Sequence, residues 1–123
     1  LGLLLASVGI TLVGGSIMNS SHKASKKTEI HLRVIREDVE RANANGHVVK
    51  GYEDFLAKVE RRVLREEVIG FKPYVSQPND SWGRMIMFEY DKNKNQLIIL
   101  SYGKDGVEGG DGEDADLSEV VQF

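Results

Sequence analysis

A chain of 123 residues suits one domain with a modest core, and part of its 41% hydrophobic content is gathered at the N-terminus. The absence of cysteine excludes disulfides and thiolate metal sites, while leaving the compartment open. The formal charge of −3 is uneven: residues 103–119 hold seven of the 19 acidic residues and one lysine, net −6, against +3 elsewhere, and no basic face is wide enough for nucleic acid.

Residues 1–21 contain no charged side chain, and Leu, Val, Ile, Ala and Gly dominate residues 1–18. As a helix this stretch would extend about 27 to 31 Å, enough for a bilayer core, and it is expected to be transmembrane. A secretory signal peptide is the alternative, but a basic opening and a small-x-small close are not clear here. Gly2, Ala6 and Gly9 fall at i, i+4 and i+7, so one face is nearly bare and another helix could approach closely for assembly. Gly14 and Gly15 weaken the helix by about 1 kcal/mol each relative to alanine. Lys23, Lys26 and Lys27 follow directly, and the positive-inside rule taken alone would put that flank in the cytoplasm; charge leaves the orientation open.

Helical chemistry continues over residues 22–44. Leu32, Ile35, Val39 and Ala42 make an apolar stripe, while Arg33, Glu37, Arg36 and Glu40 offer charge pairs on other faces. Asn45 and Gly46 tolerate the left-handed conformation that stops a helix. A second helix is expected over 53–68, capped by Asp54, with Phe55, Leu56, Val59, Val63 and Leu64 buried and Arg61, Arg62, Arg65, Glu66 and Glu67 wet. Beyond Gly70 the period changes. Residues 84–102 read as a β-hairpin with a polar turn at 91–96, and Pro73 and Pro78 confine the chain before it to irregular or edge structure. Trp82 is expected in the core. The fold class is α+β: a long N-terminal helix, partly transmembrane, packed on a small antiparallel sheet, with a globular region over 22–123.

Residues 103–117 pack glycines and carboxylates together as nowhere else in the chain. Such a segment repels itself in water, and its composition also suits a disordered acidic tail. Apolar runs on both sides, Leu97 to Leu100 before and Leu117, Val120, Val121 and Phe123 after, instead suit a loop pinned at each end. Hard cations, calcium above all, take carboxylates and backbone carbonyls in shells of about 6 to 8 oxygens, so a calcium site is expected. The EF-hand spacing is absent, and the partial match of residues 109–114 to a calcium-binding nonapeptide occurs in one copy only.

With these parts in order, the chain resembles the type IV pilin superfamily and, within it, the major pseudopilin of the type II secretion system. The resemblance rests on four features: the apolar helix running into Met18, the spacing from Met18 to Asn45-Gly46, the Asn79-Asp80-Ser81-Trp82-Gly83 segment similar to the family's Asp-Pro-Trp-Gly, and Ser101-Tyr102-Gly103-Lys104-Asp105-Gly106 similar to its strand-to-loop junction. The closing Glu113-Asp114-Ala115-Asp116-Leu117 resembles its terminal acidic group. The resemblance implies a pilin-like fold and calcium held by the Tyr102 carbonyl, Asp105, Asp114 and Asp116, with Asp111 and Glu113 in reserve. It also implies a helical homopolymer, a short periplasmic pseudopilus, assembled with minor pseudopilins and an inner-membrane secretion platform. Before assembly the subunit would sit in the inner membrane by a single pass, its globular region in the periplasm. Family members open on a methylated Phe and carry an assembly glutamate a few residues on; here Leu1 opens the sequence and no acid stands among Leu3, Leu4 and Leu5.

A non-catalytic filament subunit in protein transport is therefore the expected function. A type IV pilus subunit for adhesion or motility keeps the fold and changes the task. A membrane-tethered, calcium-dependent hydrolase would need His22, His31 or His47 as ligands or bases, but these share no productive spacing and no nucleophile motif accompanies them.

Overall fold

The computed structural model describes residues 15–64 and 69–123. Helix α1 is described over Gly15–Ala44, followed by a short helix α2, Tyr52–Lys58. Strands β1, Glu60–Leu64, and β2, Ile69–Pro73, form a two-stranded antiparallel sheet. Strands β3, Met87–Asp91, β4, Gln96–Ser101, and β5, Leu117–Gln122, form a three-stranded antiparallel sheet in that order. The bilayer-crossing segment expected at 1–21 falls largely on residues 1–14, outside the described residues, as do Gly2, Ala6 and Gly9. Among the described residues no helix is long and apolar enough to cross a membrane.

The α1 stripe faces the larger sheet. Leu32, Ile35, Val39 and Ala42 are buried, and the same face runs back one turn to buried Thr28. Opposite them stand Leu97 and Ile99 of β4 and Val121 of β5, all fully buried. The register pairs Leu97 with Val121 and Ile99 with Glu119, so Glu119 shares the inward face. That placement explains why Arg36 is drawn across to Glu119, 3.1 Å away, on the packed side of the helix. At the helix end, Gly46 N donates to Asn43 O and His47 N to Ala42 O, the paired bonds of a Schellman stop.

The second helix is shorter than its periodicity suggests. It ends at Lys58, and residues 60–64, expected to continue it, form strand β1. Val59 already has extended backbone angles, and from Glu60 onward the chain pairs residue by residue with β2, Glu60 opposite Pro73 and Leu64 opposite Ile69. Asp54 is not the cap either: Gly51 occupies that position, and Asp54 lies within the first turn, accepting a 3.0 Å bond from Lys50 N. What the helix contributes is Phe55, fully buried, its ring centroid 4.3 Å from that of Tyr74 and 4.5 Å from that of Phe88. This aromatic cluster ties α2 and the end of β2 onto β3.

Strand β5 was not among the expected elements, and its presence changes the meaning of the acidic stretch. Residues 102–116 are the connection between two neighbouring strands, closed at its base by the Ser101–Leu117 pair. Connections of about 15 residues without regular structure are uncommon in compact domains and are frequently functional. Here the only regular piece described is a single 3-10 turn, Gly112–Asp114.

Candidate functional site

The acidic loop stands on a buried polar junction. Asp80, 7% exposed, accepts at Oδ1 from Trp82 N at 3.0 Å and Arg84 N at 2.9 Å. Its Oδ2 accepts the Ser101 hydroxyl at 2.8 Å. Ser101 Oγ in turn accepts from Gly103 N, 3.2 Å, at the first turn of the loop. From the other side, Ser81 N donates to Thr28 Oγ1 at 3.0 Å, and that hydroxyl donates to Ser81 Oγ at 2.7 Å. Helix α1, the 79–84 turn, strand β4 and the loop base are thereby joined through short hydrogen bonds. The Asn79 to Gly83 segment was visible in the sequence as a motif, but nothing there assigned Asp80 this role. Trp82, expected in the core, is instead half-buried and outside the core cluster, and its backbone amide is what it gives to this junction.

Within the loop, five glycines take positive φ, and Gly103 shows why one is required. It adopts φ 81, and a Cβ there would stand 2.8 Å from the Asp114 carbonyl oxygen and 2.7 Å from that of Ala115. The two limbs of the loop therefore cross in backbone contact, as only glycine permits. Lys104 N donates to Glu113 O at 2.8 Å, and Lys104 Nζ lies 2.6 Å from Glu113 Oε1 across the same crossing. That carboxylate holds the Lys104 ammonium above its ordinary pKa. Arg84 completes the closure, donating from Nη1 to the Lys104 carbonyl at 2.7 Å.

The expected ligands divide into three groups. Asp105 Oδ1 accepts from Val107 N at 3.0 Å, forming a local Asx turn. Asp116 reaches across the loop, both carboxylate oxygens 3.1 Å from Gly109 N. Glu113 and Asp114 lie on the 3-10 turn, which Asp111 precedes with its carbonyl accepting from Asp114 N at 3.0 Å. The Tyr102 hydroxyl is raised above its usual pKa by partial desolvation and by the nearby carboxylates of Glu89, Glu108 and Asp116. Among the described residues, no three His, Asp or Glu side chains converge into a group that could hold a metal on side chains alone.

The histidines serve local roles. His31 is half-buried and hydrogen-bonds the backbone of Asn79, and burial lowers its pKa below 6.5. His47 is exposed and lines a cleft of about 630 Å³ with Asp38, Arg41 and Lys58. Both cations there are already paired: Arg41 binds Asp38, and Lys58 Nζ lies 3.7 Å from Asp54. Asp38, 2% exposed, also accepts the Tyr74 hydroxyl at 2.6 Å. Burial first, and then Asp38, push the Tyr74 pKa well above its ordinary 10.0, so it stays a donor. The side chain of His22 lies outside those described.

No curated protein matches the chain. A family model described as type II secretion system (T2SS), protein G, matches residues 17–120, a span that takes in α1, the Asp80 junction and the whole acidic loop. With that match over most of its length, the chain belongs to the family of type II secretion system protein G, the pseudopilins.

Proposed function

We propose that this chain is a structural, non-catalytic subunit that polymerises through its N-terminal segment into a pseudopilus. The observation that carries the proposal is the family match over residues 17–120, which favours secretion over adhesion or motility. On this reading the subunit waits in the inner membrane with its globular region in the periplasm, and assembles with minor pseudopilins on a membrane platform. Residues 1–21 supply the apolar face, with Gly2, Ala6 and Gly9 allowing close helix contact. Negative-stain electron microscopy of the full-length protein tests this: filaments are expected, and removal of residues 1–21 should leave dispersed monomers. Filaments that persist after the deletion would move assembly elsewhere.

The acidic loop is proposed to bind calcium, through the Tyr102 carbonyl, Asp105, Asp114 and Asp116, with Asp111 and Glu113 in reserve. Three features of the loop fit such an ion. Its donors are all oxygen, the type a hard cation prefers. Its limbs cross in backbone contact at Gly103, bringing the Asp114 carbonyl against the loop entry. And Asp105 and Asp116 spend only part of their acceptor capacity on backbone amides, a carboxylate having about four lone-pair sites. Because three side chains do not converge, backbone carbonyls must supply much of the shell. Bound there, calcium would supply positive charge to a segment of net −6. EGTA is expected to lower the melting temperature, and Asp105→Ala or Asp116→Ala to abolish that shift. Identical melting of the parent with and without calcium would remove the ion from the account.

A further inference from the structure

We infer that Arg84 is the positioning residue of the acidic loop, holding its first turn in the shape that presents oxygen ligands; the inference rests on the calcium reading for what the turn is prepared to receive. Arg84 is fixed from behind. Its amide bonds the buried Asp80 carboxylate at 2.9 Å, and its carbonyl accepts from Asp80 N at 2.8 Å. From this anchored position the side chain leaves the 79–84 turn and reaches the loop, where Nη1 donates to the carbonyls of Lys104 at 2.7 Å and Gly103 at 3.5 Å.

A second observation comes from the loop side. Gly106, φ 71, is the residue against which the guanidinium rests: a Cβ at that position would overlap the Arg84 head, 2.7 Å from Cζ and 2.8 Å from Cδ. Gly106 leaves the space and Arg84 fills it. The planar fork suits this place better than an ammonium would, since it can donate to successive carbonyls while its head occupies the space that Gly106 leaves. It also puts a fixed positive charge against a segment of net −6, easing the repulsion that would open the loop before any metal arrives. Asp80 acts on the loop twice, through Ser101 and Gly103 on one path and through Arg84 on the other.

The test is amide hydrogen exchange over residues 103–107 in the full chain, in EGTA, followed by titration with calcium chloride. Arg84→Gln is expected to speed exchange in this turn about tenfold in EGTA while β3, β4 and α1 keep theirs. Arg84→Lys should recover part of the protection. Gly106→Ala carries the strain of φ 71 in either background, but is expected to speed exchange more beside Arg84 than in the Arg84→Gln background, because the overlap with the guanidinium exists only in the first. The calorimetric titration should show calcium binding weakened about tenfold by Arg84→Gln, the affinity effect of losing a preformed turn. Unchanged exchange in Arg84→Gln, equal effects of Gly106→Ala in both backgrounds, or tighter calcium binding without Arg84 would each overturn the inference. If the parent binds no calcium, the metal reading falls, and the exchange results in EGTA still decide whether Arg84 shapes the turn. Should Arg84→Gln not fold, Arg84→Lys keeps the test: exchange faster than in the parent is expected in this turn, and parental exchange would overturn the inference.

Discussion

Among the described residues two carboxylates are buried, and they are satisfied differently. Asp38, on α1, faces a guanidinium and a phenol: Arg41 on one oxygen and Tyr74 on the other. Asp80, in an irregular turn, faces two backbone amides and the Ser101 hydroxyl, with no cation among its described partners. Each fastens a different attachment to the α1–sheet core. Asp38 holds the chain around the small β1–β2 sheet, through Tyr74 just beyond β2 and through Arg41, which also reaches the Glu60 carbonyl at 3.4 Å. Asp80 holds the turn and the acidic loop. The difference lies in what the partners can do if the carboxylate is lost. Arg41, 34% exposed, can turn to water, whereas amides fixed in a turn cannot move without undoing it.

Replacement of Asp80 by alanine should therefore have the largest effect, about 3 kcal/mol in urea unfolding, since several buried donors lose their acceptor together. It should also raise exchange across residues 103–116; a loss below about 1 kcal/mol would mean that water replaces the carboxylate. Asp38→Ala is expected to cost less, about 2 kcal/mol, with the acidic loop undisturbed. Equal costs at the two sites would break the comparison. Tyr74→Phe removes one bond to a charged acceptor and should cost about 1 to 2 kcal/mol, visible as a lower urea midpoint with unchanged slope.

The smallest effect is set by pH. His31 bonds the Asn79 backbone, and burial lowers its pKa, with the charge of Lys27 adding to that and the charge of Asp38 opposing it. The unfolded chain binds this proton at a higher pH than the folded one, so stability falls as pH drops below about 6.5, and is regained above it. Thermal melting from about pH 7.5 down to about 5.5 should show the decline, and His31→Gln should flatten it. An unaltered decline in the variant would assign the effect to other groups.

How much of this was legible in the sequence follows the range of the forces involved. The α1 stripe is written in local period, and Leu32, Ile35, Val39 and Ala42 all lie buried as their spacing implies. The β3–β4 hairpin is equally local. The end of α2 is not: Phe55, Val59 and Val63 fit a helical spacing, no glycine or proline intervenes between Gly51 and Gly70, and pairing with β2 decides the matter. Strand β5 is half charged or polar in composition, and its assignment depends on β4 lying beside it. Asp38 was not singled out in the sequence, although its position three residues after Ile35 and four before Ala42 put it on the buried face. Asp80 and Arg84 were unreadable as a pair because their importance lies in residues about twenty positions away, Ser101, Lys104 and Gly106.

The Ser101–Leu117 pairing has one further consequence. Since the strands zip shut beneath the loop, the alignment of β5 on β4 is set by the sheet and not by the length of residues 102–116. A few residues can be inserted at the loop's tip without shifting β5 along β4 by a single position, because the cost of lengthening a closed loop grows only with the logarithm of its size. The tip of the loop can thus vary in length while the sheet beneath keeps the same alignment.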